Sequence, residues 1–141
     1  MPLSTAEREA FLTEPHIAAL AIASGNDRAP LTVPIWYQYE PGGDIWFTTD
    51  AASRKAAAIK AAGRVSLMVQ RVSPSVRYVS VEGPVIKTEA GTEERMREIV
   101  ARYLPAERMD EYLAFAASNH SDQLVVHVRP EHWLSADLGW A

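Results

Sequence analysis

Short apolar runs and period-two alternation dominate the chain, and helical spacing is confined to three places. Ser4-Thr5-Ala6-Glu7 has the spacing of a capping box, with Ala10 and Phe11 following on one face, so a short helix is predicted over residues 5–13, ended by Pro15. Residues 17–23 form an apolar run before the turn signal Ser24-Gly25-Asn26-Asp27, and residues 30–39 supply the partner strand of a hairpin. Pro41-Gly42-Gly43-Asp44 turns the chain into a β-branched and aromatic strand, residues 45–49, followed by an alanine-rich helix that Ala62-Gly63 stops. Residues 64–71 resume as strand. Residues 77–87 read as a long strand bent at Gly83-Pro84, as a closing barrel requires. Thr92 is placed to cap a helix carrying Met96, Ile99, Val100 and Tyr103, and Pro105 separates it from a second helix that runs to about Ser118. Residues 123–129 and 131–135 are the last strands. The pattern predicts a mainly β protein, a single domain over residues 1–141, built as a six-stranded antiparallel barrel with helices inserted at three places.

Composition changes that picture little. The length suits one domain, and 48% hydrophobic residues are enough for a substantial core. A formal charge of −4 argues against broad attraction to nucleic acid or an anionic membrane. No apolar run is long enough to span a bilayer, and the first residues lack a signal-type apolar core, so a soluble cytoplasmic protein is expected. The absence of cysteine removes disulfides, thiolate metal sites and a cysteine nucleophile together. His16, His120, His127 and His132 are scattered without metal-site spacing. Ser118, His120 and Asp122 resemble triad components, but they crowd one helix end where capping explains them, and no nucleophile elbow is present.

The stretch that carries chemistry is the strand-turn-helix of residues 45–60. Its join offers hydroxyls from Thr48, Thr49 and Ser53, charge from Arg54 and Lys55, and the backbone N–H groups of a helix's opening turn. Cations there oppose the helix dipole by about 0.3–1 kcal/mol each when exposed, which favours a compensating anion. The same residues also suit a plain capped helix with a solvated face, with Asp50 or Ser53 as cap. Pro34, inside the second strand, cannot donate a ladder hydrogen bond and so marks an edge, a bulge or a place where a flat ligand lies. Trp36 and Tyr37 must point to opposite faces, one to the core and one to a site or interface. Reactive side chains are otherwise absent, so any redox chemistry would come from a bound cofactor.

In order along the chain, residues 12–21, 30–37 and 45–49, Ser53-Arg54-Lys55, residues 64–67, Val81-Glu82-Gly83 and residues 132–139 resemble the pyridoxamine 5′-phosphate oxidase-like superfamily, most closely its flavin- and deazaflavin-dependent oxidoreductase branch. The resemblance implies an FMN-binding split β-barrel working as a homodimer with cofactor sites at the interface. It implies that Val33, Pro34, Ile35 and Trp36 lie along the cofactor ring, largely through main-chain contacts. Thr48, Thr49, Ser53 and Lys55 would bind its phosphate, with Arg54 or Lys60 assisting, and Gln70 and Arg77 would approach the cofactor tail or the substrate mouth. The C-terminal R-L-x-P substrate motif of true pyridoxamine phosphate oxidases is missing, which points away from vitamin B6 oxidation. The expected function is hydride transfer from deazaflavin F420 to a small conjugated or aromatic substrate. The alternatives are an FMN-dependent oxidase or reductase of the same fold, or a protein that binds flavin, haem or tetrapyrrole without turnover. No side chain stands out as proton donor; Tyr37 and Tyr78 are the nearest candidates.

Overall fold

A computed structural model of the chain describes residues 1–119 and 122–140. Among them are four helices and eight strands: α1 (Thr5–Thr13), β1 (Ala18–Ile22), β2 (Leu31–Ile35), β3 (Gln38–Tyr39), β4 (Ile45–Asp50), α2 (Arg54–Ala62), β5 (Arg64–Arg71), β6 (Val76–Ala90), α3 (Glu93–Tyr103), α4 (Ala106–Asn119), β7 (Gln123–Val128) and β8 (His132–Gly139). All strand pairings are antiparallel, in the order β2-β1-β5-β6-β7-β4-β3, with β8 also paired to β6. The result is a curled half-barrel with helices, the mainly β architecture the sequence pattern implies.

The curl is made by β6. Its first half pairs with β5 and β8, its second half with β7, and the register shifts between Val85 and Lys87. Gly83 sits at this crossing because a Cβ there would come 1.7 Å from the carbonyl oxygen of Arg129, closer than any side chain tolerates. Phe11, Leu12, Leu20, Ile35, Tyr37, Phe47, Leu67, Val79 and Val126 fill the inside of the curl. Trp46, Ile99, Val100 and Val125 form a second cluster where α3 covers the outer face of β4 and β7.

The α1 capping box is present, with the Ser4 hydroxyl accepting from the Glu7 N–H and the Glu7 carboxylate accepting from the Ser4 N–H. Two expectations about strands need correction. The strand expected over residues 30–39 divides into β2 and β3, because at the break the Tyr37 N–H donates to the Tyr103 hydroxyl at 3.1 Å instead of to a neighbouring strand. The last strand is longer than expected and runs to Gly139, because β6 offers a paired template that Ala136-Asp137-Leu138 do not announce by their own propensity. The division of residues 30–39 turns the strand segments read from the sequence into eight strands among the described residues. His120, noted beside Ser118 and Asp122, lies outside the described residues. Among the described residues no helix is long and apolar enough to cross a membrane.

Candidate functional site

The break between β2 and β3 and the join between β4 and α2 face each other across a cleft of about 390 Å³. One wall is Ile17, Pro34, Ile35 and Trp36; the other is Thr48, Thr49, Asp50, Ser53 and Lys55; α3 and α4 close it with Met96, Ile99, Val100, Tyr112 and Ala116. Seven of the residues singled out in the sequence thus meet at one place: Pro34, Ile35, Trp36, Thr48, Thr49, Ser53 and Lys55. A roomier cavity of about 750 Å³ between α3 and α4 shares Met96, Ala116 and Gln123 with the cleft. Its charged residues are already paired, Arg97 with Asp110 at 3.4 Å and with Glu93 at 3.6 Å.

The polar end of the cleft is built locally. Ser53 caps α2: its hydroxyl accepts from the Ala56 N–H at 3.1 Å and donates to the Asp50 carbonyl at 2.7 Å. Because the Ser53 hydrogen is thus committed, the 3.1 Å contact between Thr49 Oγ1 and Ser53 Oγ has Thr49 as donor. Both hydroxyls therefore hold the turn. Lys55 differs from them. It is half-buried, no hydrogen bond or ion pair joins its ammonium to a described residue, and burial alone holds it below the ordinary lysine range. The N–H groups of Arg54 and Lys55 and the Thr48 hydroxyl likewise have no partner among the described residues. A desolvated cation beside two unpaired helix amides and a free hydroxyl is an arrangement completed by an anion.

The opposite wall is apolar and flat. β2 is the edge strand of the sheet, so the missing N–H of Pro34 interrupts no ladder toward solvent. Trp36 stacks on Tyr103 with ring centroids 4.9 Å apart and 12° between planes, and also meets Tyr112 at 5.3 Å. The Trp36 ring is thus packed between α3 and α4. Val33 turns its side chain toward the core, beside rather than in the cleft.

Other sequence candidates lie elsewhere in the chain. Arg54 is exposed, and Lys60 lines not the cleft but a neighbouring groove that shares Thr49 and Ser53 with it. Gln70 is exposed and stands opposite Tyr78 in the β5–β6 ladder. Arg77 donates to Asp137 at 3.0 Å, and the Asp137 carboxyl is held down to about 2 by the Ser75 hydroxyl, the Gly139 N–H and then Arg77. Tyr37 proves unsuited to proton donation: it is fully buried, its hydroxyl donates to the Leu12 carbonyl at 2.6 Å, and burial pushes the phenol above the ordinary tyrosine range. Tyr78 stands outside the cleft. The sequence reading missed the α3–α4 contribution. Met96, Ile99 and Val100 showed helical spacing, but spacing does not say which surface a helix face covers.

A half-barrel whose cleft joins an anion-ready helix start to a flat apolar strand edge defines the class of split-barrel cofactor-binding proteins. The model of the pyridoxamine 5′-phosphate oxidase family matches residues 4–136, and the chain belongs to that family. A search of curated proteins gave no match. Among solved structures, an F420 reductase superposes with a TM-score of 0.71 at 24% identity, over 89% of this chain and 94% of that one. A conserved hypothetical protein from Mycobacterium tuberculosis gives 0.69 at 24% identity, over 96% and 85%. A FAD-binding protein from Mesorhizobium loti gives 0.66 at 18% identity, over 99% and 98%. These likenesses are of fold.

Proposed function

We propose that the cleft binds a phosphorylated flavin-type cofactor, deazaflavin F420 in preference to FMN, and that the protein is an oxidoreductase moving hydride to a small conjugated or aromatic substrate. The observation that carries this reading is the half-buried Lys55 ammonium, which no described residue meets in a hydrogen bond or ion pair. Lys55, the Thr48 hydroxyl and the N–H groups of Arg54 and Lys55 hold the phosphate, while Ser53 and Thr49 keep the turn in shape. Pro34, Ile35 and Trp36 offer main-chain groups along a flat edge to the ring, and Met96, Val100 and Tyr112 exclude water from above. When bound, the cofactor supplies the hydride chemistry, and the protein supplies position and electrostatics. The preference for F420 draws support from the fold shared with an F420 reductase along almost its whole length and from the missing pyridoxamine phosphate oxidase motif. An FMN-dependent oxidase or reductase is the second reading, since both cofactors share a tricyclic ring and a first phosphate.

The working unit we propose is a homodimer. Leu134 and Leu138 on β8 and the adjacent Trp140 are 66%, 63% and 88% exposed, an apolar surface of the kind a second copy covers. Absorbance and fluorescence titration with F420 and, separately, with FMN tests the site, with light scattering on the same samples. Micromolar or tighter binding of F420 by a dimer is expected. Tight binding of FMN alone moves the assignment to the second reading, and binding of neither reduces the polar end to a capped helix. Reduced cofactor oxidised only on adding an acceptor distinguishes an enzyme from a carrier.

A further inference from the structure

The polar end of the cleft is braced by its own neighbours in sequence, but the ring wall is not. At Trp36 and Tyr37 the edge strand loses its ladder, and both main-chain groups of Tyr37 turn toward one side chain sixty-six residues away. The Tyr103 hydroxyl accepts from the Tyr37 N–H at 3.1 Å, lies 3.2 Å from the Tyr37 carbonyl oxygen, and donates to the His16 carbonyl at 2.8 Å. Its ring stacks on Trp36. The preceding residue, Arg102, donates to the Thr13 and Glu14 carbonyls at 2.6 and 2.8 Å, fixing the last turn of α3 against the end of α1. Tyr103 thus ties together the α1–β1 connection, the break between β2 and β3, and α3.

We infer that Tyr103 is a positioning residue for the ring half of the cleft: by holding the main chain at Trp36 and Tyr37 it sets Pro34–Trp36 in place before any ligand arrives. The inference rests on the cofactor reading above, because it assigns Tyr103 to one half of that site. A residue that only supports the fold would affect both halves alike. Tyr103 acts on the wall and leaves the polar end untouched, since Ser53 and Thr49 brace that end from within β4 and α2.

The test measures FMN, F420 and inorganic phosphate binding to wild type, Tyr103→Phe and Tyr103→Leu. Tyr103→Phe keeps the stack and removes the three hydroxyl contacts, and is expected to weaken the ring-bearing cofactor about tenfold while phosphate affinity stays within twofold. The shift in cofactor fluorescence on binding should shrink in parallel, and Tyr103→Leu, without the stack, should lose more. Equal losses for cofactor and phosphate, or no loss in Tyr103→Phe, overturn the inference. A measurement on the wild type stands apart from variant folding: hydrogen exchange should show the Tyr37 amide as protected in the unliganded protein as the amides of β1, and free exchange there also overturns it. If wild type binds neither cofactor nor phosphate, the cofactor reading itself falls and this role with it. Cofactor binding that ignores Tyr103 removes the role alone.

Discussion

The two ends of the cleft are made by different means. The polar end comes from eight consecutive residues, Thr48 to Lys55, whose turn and cap are held by side-chain contacts no more than four residues apart, on a strand that β7 pairs and with the Ala51 N–H donating to the Asp122 carbonyl. The apolar end is an assembly: Ile17 from the α1–β1 connection, Pro34 and Trp36 from a strand edge, and Tyr103 and Tyr112 from two helices of the insertion between β6 and β7. A turn and cap of this kind set their own shape once the strand beneath them is paired. An assembled end depends on every element that meets there, so its geometry responds to changes far away along the chain.

Lys55→Ala gives the sharpest test of that contrast. Losing one charge-assisted contact to phosphate costs about 1.5–3 kcal/mol, so cofactor affinity should fall roughly 10- to 150-fold while the melting temperature holds or rises slightly, because a desolvated cation has been removed. Lys60→Ala, in the neighbouring groove and outside the cleft, should leave the same titration within about twofold. Equal effects of the two would erase the distinction between cleft and groove.

Arg102→Ala probes the assembled end. It removes the hydrogen bonds to the Thr13 and Glu14 carbonyls, and with hydrogen bonds to charged groups worth about 1.5–3 kcal/mol, a stability loss of about 2 kcal/mol is expected in urea unfolding. Cofactor affinity should decline with it, whereas phosphate affinity should not. A variant of unchanged stability would mean that the insertion is not what secures the wall.

The smallest effect expected is in pH. Burial lowers the Lys55 pKa, so the unliganded site favours its neutral form earlier on the alkaline side than a free lysine would. Phosphate binds the protonated form, so cofactor affinity should be steady near neutrality and decline as pH rises through the lowered pKa, before the ordinary lysine value of about 10.4. Because the folded-state pKa lies below the unfolded one, the desolvation penalty is greatest when Lys55 is charged and fades at high pH, so stability moves opposite to affinity. Lys55→Arg should flatten the affinity profile over this range.

The difference between the ends also explains what could be read from the chain. Helix caps at Ser4, Ser53 and Thr92 and the stop at Gly63 follow from local chemistry, and each stands where the residues indicate. So does the cluster of cleft donors around Thr48 and Lys55. Tyr103 carried no such signal, because an aromatic at helical spacing is ordinary core until its partner surface is known. Tyr37 misled for the same reason: alternation places it opposite Trp36, but only packing shows that its hydroxyl is spent on the Leu12 carbonyl.

By itself the sequence determined the elements, their antiparallel hairpin logic and the phosphate-ready turn, because these depend on residues within a few positions of one another. Tertiary structure decided which helices roof the cleft, where β2 ends, that β8 extends to Gly139, and that Arg77 answers to Asp137. These outcomes depend on pairings between residues far apart in the chain, and local propensity carries no information about such pairings.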